Sequence, residues 1–328
     1  MYKKMKVGAF LLSIGVLLLS CTGENNVSTE RLFEHVVIIG IDGLTIDGLQ
    51  RAETPIMDNL IATGAFKYNA RAVIPTSTIP NWGAMIHGAG PEATGITSNR
   101  WMQPNAVNMT PVVTNEAGLF PCIFHVVRTQ LPDAEQSLFI NWDGFGFTYH
   151  FERLRQRGVL NRFDIFRQGD IPLHYSAELT TERAVEYIIT ERPTFFFVIL
   201  NHVDGTGHDY GFTSDEYIQS VKHADSMIGL IMESIYAAGM KDNTLVMVLS
   251  DHGGIGYRHG GESDTEIDMP FIFWGNGVKR NYQIQQPIFV YDVAATAAFA
   301  LNLRIPFAWT GRPVLAAFEG HSEPDLSF

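Results

Sequence analysis

Apolar residues in this chain recur with two different periods. The runs HVVIIGID (35–42), TFFFVILNHVD (194–204) and TLVMVLSDH (244–252) are apolar at successive positions over strand length. That pattern predicts strands buried on both faces of a parallel sheet. Each run delivers an aspartate at its carboxyl end: Asp42, Asp204 and Asp251. MPFIFWG (269–275) predicts a further strand. Between the last two aspartates, Tyr217, Val221, Ala224, Ile228, Ile231 and Ile235 recur at spacings of three and four, the mark of an amphipathic helix. Thr213 with Glu216 predicts its capping box and Gly239 its stop. Helical periodicity also appears near 54–63, 81–87, 180–191 and 290–301.

Alternating strands and helices predict an α/β fold, an open, mostly parallel sheet with helices on both faces. Ligands of such sheets bind beyond the carboxyl ends of the strands. The three aspartates are therefore expected at one edge. Residues 100–180 are the least regular, and are expected to be a small inserted region that shapes the pocket.

The chain has 328 residues and is 46% hydrophobic, enough to bury a sizeable core. Its net charge of -12 and the absence of a basic run after residue 6 argue against a nucleic-acid-binding surface. An anionic substrate must then be held by something other than clustered lysine and arginine. The first residues combine Lys3, Lys4 and Lys6 with an apolar stretch at 7–19 and the sequence LLSC. The stretch is short for a membrane span and has the basic flank of an export signal. Its ending resembles a bacterial lipobox. That resemblance implies a signal peptide at 1–20, acylation of Cys21, a polar tether over 21–34 and a single domain over 35–328. An uncleaved anchor, or an ordinary signal with a chance cysteine, is the alternative. Export is expected either way, and the lipobox reading makes the protein a membrane-anchored lipoprotein of the periplasm or cell envelope. Cys122 would remain as the one thiol, so no intrachain disulfide is available.

SDHGGIGYRHGG (250–261) places Asp251, His252 and His259 in a glycine-rich loop that cannot pack a core. Asp204 and His208 lie four apart in DGTGHD, an arrangement read as a tight turn. With Asp42 these make three carboxylates and three imidazoles. Such a set suits zinc or another borderline divalent ion over calcium or magnesium. In IPTSTIPNWGAMIHG (74–88), Thr78 is expected where a helix begins, and unpaired N–H groups there favour an anion. Thr76, Ser77 and Thr78 also suit a simple helix cap.

Taken in order, IGIDGL, PTSTIPNWGAMIHGAGPEATGITSN, NHVDGTGH, SDHGG and RHGG leading into MPFIFWGNG resemble the alkaline phosphatase superfamily. The resemblance is strongest to its nucleotide pyrophosphatase/phosphodiesterase branch and covers about 35–315. It implies two zinc ions, although other divalent ions remain possible. Asp42, Asp251 and His252 match the ligands of the ion that also binds the nucleophile, here Thr78. Asp204, His208 and His259 match the ligands of the ion facing the leaving group, and Asn99 matches an asparagine that donates to a phosphoryl oxygen. His202 matches no ligand. The implied reaction is cleavage of a small phosphodiester or nucleotide substrate at a phosphodiester or pyrophosphate bond through a phospho-threonine.

A sulfatase would need Cys or Ser in a C/S-x-P-x-R setting, and TSTIP lacks that arginine. Phosphomonoesterases, phosphonate hydrolases and phospho-transferases of the same superfamily remain open, as does a non-catalytic metal-binding lipoprotein. Oligomeric state is not legible in the sequence.

Overall fold

A computed structural model describes residues 31–115, 118–166 and 172–327. The expected signal peptide and Cys21 lie outside the described residues. The chain runs β1 (His35–Ile41), α1 (Ile46–Arg51), α2 (Pro55–Thr63), β2 (Ala65–Arg71), α3 (Thr78–His87), α4 (Pro91–Thr94) and α5 (Ile123–Gln130). It continues through β3 (Gln136–Ile140), α6 (Phe145–Gln156), β4 (Arg162–Ile165), α7 (Leu173–Glu191), β5 (Phe195–Leu200), α8 (His202–Tyr210) and α9 (Asp215–Ala237). It closes with β6 (Thr244–Leu249), α10 (Asp264–Ile267), β7 (Asp268–Trp274), β8 (Tyr282–Gln283) and α11 (Asp292–Ala300).

The eight strands form one sheet in the order β4-β3-β5-β1-β6-β7-β2-β8. Only β7 runs against the others, pairing antiparallel with β6 and β2. The sheet divides the core by strand alternation. Val36 and Ile38 face a cluster formed with α3, α5, α6 and α11, while Val37, Ile39 and Ile41 face one formed with α2, α7 and α9. The predicted stripe of α9 is fully buried on that second face. Removing one of its isoleucine side chains would cost about 2–5 kcal/mol, since the cavity left behind adds to the lost transfer energy.

Four local expectations change. The cap of α9 is Ser214, not Thr213; its hydroxyl accepts from Tyr217 N at 3.1 Å, because the extended residue directly before the helix reaches the open N–H groups. Asp204 and His208 lie in α8 rather than a tight turn. Gly207 is tolerated in that helix because a Cβ there would meet the Phe212 ring at 2.6 Å. The tether ends before Phe33, which is buried at 1% exposure and packs against Phe318. Finally, the stretch expected as an insertion contributes β3 and β4 to the sheet, so its longest irregular part among the described residues lies at about 95–115 and 118–122. Gln136 and Ser137 interrupt the apolar signal of β3, although both are buried in the strand.

Candidate active site

β5, β1 and β6 are neighbours at the centre of the sheet, so their carboxyl ends bring Asn201, Asp42 and Asp251 together. Asp204 joins them from the first turn of α8. Gly43 sits between: with φ +71° and a Cβ position only 2.8 Å from the Asp204 Cβ, it leaves no room for a side chain. Its N–H donates to Asp251 Oδ1 at 3.2 Å.

Each carboxylate has one oxygen held or contacted by the protein and one without a hydrogen bond. Asp42 Oδ2 accepts from Asn201 Nδ2 (2.8 Å) and Trp82 Nε1 (3.3 Å). Asp42 Oδ1, Asp251 Oδ2 and Asp204 Oδ1 are buried without hydrogen-bond partners. Three bare carboxylate oxygens in one buried cluster are costly unless a cation compensates them.

The imidazoles are arranged to complete such a site. His252 Nδ1 pairs with Gly253 O (2.8 Å), His259 Nδ1 with Thr76 O (2.8 Å) and His208 Nδ1 with Tyr257 O (2.9 Å). A carbonyl only accepts, so each ring in its neutral form keeps its proton on Nδ1 and leaves Nε2, turned inward, as the nitrogen that could bind a metal. His252 Nε2 lies 3.2 Å from Asp251 Oδ2 and 3.4 Å from Asp42 Oδ1. His259 Nε2 lies 3.5 Å from Asp204 Oδ1, and His208 Nε2 3.4 Å from Asp204 Oδ2.

Two trios have ligand atoms within 4.8 Å of one another: Asp42, Asp251 and His252, and Asp204, His252 and His259. The first is the expected trio. In the second His252 takes the place expected for His208, because the His252 and His259 rings stack 3.7 Å apart between the two groups. His208 reaches that group through Asp204 and remains half-exposed. The donor set, with its bare oxygens and inward nitrogens, fits two divalent ions.

Electrostatics follow from burial. Asp42 and Asp251 are pushed well above the usual carboxylate range by burial, and further by neighbouring carboxylates. Burial raises Asp204 too, but its bond to His208 and the surrounding imidazoles outweigh that and hold it low. The same contact lifts His208 to about 9. Burial, with His259 alongside, depresses His252 to about 3.

Thr78 is the first residue of α3, and its Oγ1 lies 3.3 Å from His252 Nε2. Capping does not occupy it: Ser77 makes no side-chain cap bond, and Thr76 Oγ1 donates to Gly261 O. The orphan N–H of Ile79 is instead taken by Asn99 Oδ1 at 2.8 Å. That bond fixes the Asn99 amide and leaves Nδ2 as its donor end. α3 docks through Trp82, whose ring covers Gly40 so closely that a Cβ there would lie 2.4 Å away.

Thr78, Asn99 and all six expected ligands therefore meet at one edge, whereas Cys21 lies outside the described residues. His202 points away, its Nε2 3.3 Å from Ser220 O. The sequence reading missed Asn201, Trp82 and Asn141, whose Oδ1 accepts from Asn201 N at 2.7 Å. Their signal was only proximity: Asn201 sits at the end of a strand, three residues before Asp204.

Comparison with known proteins bears on the family and the fold. Human ectonucleotide pyrophosphatase/phosphodiesterase family member 1 is 24% identical over 237 residues, covering 71% of this chain and 25% of its own length. GPI ethanolamine phosphate transferase 1 of Saccharomyces cerevisiae is 25% identical over 279 residues, covering 80% of this chain and 29% of its own. This chain thus spans about a quarter of the length of these relatives. Among solved structures, murine ectonucleotide pyrophosphatase/phosphodiesterase 5, in an inactive form with AMP, superposes with a TM-score of 0.63 at 14% identity, covering 83% of this chain and 96% of that one. A 2-O GAG sulfatase superposes with a TM-score of 0.68 at 17% identity, covering 90% and 76%. The sequence profile described as type I phosphodiesterase / nucleotide pyrophosphatase matches residues 36–268, and the chain belongs to that family.

Proposed function

We propose that this protein is a two-metal hydrolase that cleaves phosphodiester or pyrophosphate bonds with Thr78 as nucleophile, and that the metals are zinc. The observation that carries this reading is the convergence of Thr78 Oγ1 on His252 Nε2, 3.3 Å away, inside a cluster with three bare carboxylate oxygens. Asp42, Asp251 and His252 would hold the ion beside Thr78; Asp204, His259 and His208 would hold the second. When bound, the ions supply Lewis-acid stabilisation of the attacking and leaving oxygens and lower the pKa of the nucleophile's hydroxyl.

The protein's own groups do the rest. Thr78 opens α3, so the N-terminal dipole of that helix would favour the negative charge of a phosphoryl group beside Thr78 Oγ1. Asn99 Nδ2 donates to a non-bridging oxygen. Thr78 Oγ1 forms the new P–O bond as the leaving oxygen departs with the bonding pair, and water then cleaves the phospho-threonine. Two divalent ions outweigh three aspartates, so the site attracts a phosphate although the chain is acidic.

A transferase reading is favoured by one observation, the wider coverage of the yeast transferase. In that case an alcohol would replace water in the second step. Sulfatase chemistry is disfavoured: Thr78 occupies the nucleophile position and no C/S-x-P-x-R motif surrounds it. We further propose export and anchoring through Cys21.

The test is metal analysis combined with a substrate panel of nucleotide sugars, dinucleotides, glycerol diesters, bis-p-nitrophenyl phosphate and p-nitrophenyl phosphate, compared by kcat/KM. Stoichiometric zinc with a preference for diesters is expected. A protein without stoichiometric metal, or inert toward every ester, would overturn the proposal. Product transfer to added ethanolamine or glycerol in preference to water would select the transferase.

A further inference from the structure

The edge of the sheet opposite Thr78 carries a cavity of about 410 Å³. Trp274, at the end of β7, and Tyr236, at the end of α9, wall it with ring centroids 6.0 Å apart. Trp274 Nε1 donates to Thr63 Oγ1 at 3.2 Å, which fixes the indole. Lys241 and Arg280 also line the cavity with a single carboxylate, Asp242, and neither cation has an ion-pair partner among the described residues. Lys241 Nζ instead lies 5.1 Å over the Tyr236 ring.

In a chain of net charge -12, unpaired cations beside a tryptophan and a tyrosine require an explanation. Cations often neutralise helix carboxyl ends, but Arg280 lies on the connection between β7 and β8, at no helix terminus. At the same edge burial depresses His35, with Arg192 and Arg31 adding to the effect and Glu34 opposing it.

The entry of the chain into the sheet gives the position meaning. Phe33 N donates to Ala300 O and Glu34 N to Asn243 O, each at 3.0 Å, so the chain arrives two residues from Lys241. Cys21, the proposed site of the lipid anchor, stands ten positions before Arg31. The bilayer that this lipid would enter is therefore covalently tied to this edge by a short tether.

We propose that this edge docks on an anionic phospholipid surface, with a lipid headgroup phosphate entering the Trp274–Tyr236 cavity between Lys241 and Arg280. Indole and phenol rings favour the depth of lipid headgroups, and juxtamembrane cations are drawn to anionic leaflets. Docking there turns the Thr78 edge away from the bilayer, toward soluble substrates. The inference rests on the proposed membrane anchoring and adds to it a site and an orientation.

The test uses the protein expressed with its own amino-terminal signal, so that it carries its lipid on Cys21, and reconstituted through that lipid into vesicles of phosphatidylcholine alone or of equal parts phosphatidylcholine and phosphatidylglycerol. A membrane-impermeant maleimide is reacted with Asn276→Cys, in the cavity wall, or with Val107→Cys, 93% exposed on the Asn99 side. Labelling of Asn276→Cys should slow roughly thirtyfold on anionic vesicles, the equivalent of about 1 kcal/mol for each of two cations. Val107→Cys should react equally on both. Lys241→Glu with Arg280→Glu should abolish the slowing, and Lys241→Gln with Arg280→Gln serves if charge reversal impairs folding, monitored by bis-p-nitrophenyl phosphate hydrolysis. Equal labelling of Asn276→Cys on both vesicles, or the same slowing by glycerol 3-phosphate without vesicles, would overturn the proposal. Flotation with neutral vesicles tests the anchor separately.

Discussion

Asn201 holds Asp42 by one oxygen only: Nδ2 donates to Oδ2 at 2.8 Å, and Oδ1 of the same carboxylate is left bare. The amide thereby aims the other lone pairs into the site, as supporting shells of metal centres do. Asn201→Ala should lower metal affinity by about 10–100-fold while the protein stays folded. A chelator titration followed by circular dichroism and metal analysis checks both. Unchanged affinity would show that Asp42 needs no such support.

Thr78 contacts the two groups through His252 alone, and the other five expected protein ligands do not depend on it. Thr78→Ala should therefore reduce kcat by on the order of 10⁴-fold or more, as loss of a covalent nucleophile does, while bound metal stays near the parent value. Rate assays and plasma emission on the same sample separate the effects. An undiminished rate would remove Thr78 from the mechanism.

His252 and His259 should differ in what they lose. His259 belongs to one trio and His252 to both. His259→Ala is expected to weaken the ion at Asp204 and keep the one beside Thr78; His252→Ala should impair both. Metal stoichiometry after gel filtration distinguishes them, and equal losses would refute the division.

Asp42 and Asp251 have folded-state pKa values raised above their unfolded values, chiefly by burial. Their contribution to stability is present below the unfolded carboxylate pKa of about 3.9 and is lost as pH rises through the folded value. Asp204, held low, acts in the opposite sense. In chelator, Asp251→Asn should gain Tm relative to the parent as pH is raised toward neutrality. Metal binding must release protons, so affinity should climb with pH. Calorimetry in buffers of different ionisation enthalpy reads that release directly, and a binding heat independent of buffer would contradict it.

Gly43→Ala should cost about 1–3 kcal/mol in stability, since the new methyl group meets Asp204 in a left-handed backbone position. Loss of metal should accompany it, because the Gly43 N–H orients Asp251. Denaturant melts with and without zinc would show a larger deficit in the metal-bound form. A parent-like melt would mean that the backbone moves aside freely.

Much of this was legible in the sequence, for a local reason. Burial on both faces makes a parallel strand apolar at every position, so β1, β5 and β6 and their trailing aspartates announced themselves. Helical periodicity likewise marked α9, and the ordered motifs singled out the carboxylates, imidazoles and Thr78 that gather at this edge. Spacing alone could not separate helix from turn at Asp204, because glycines at 205 and 207 lower helix propensity and only packing against Phe212 restores it. Nor did it reveal β3, whose Gln136 is satisfied by the carbonyls of Phe124 and Val159. The order of the strands decided what the sequence could not: which residues stand beside one another across the sheet. It set Asn201 on Asp42, 159 positions away, and Gly43 against Asp251, 208 away. Those contacts select one oxygen of each carboxylate for the site, a choice that exists only once the strands are side by side.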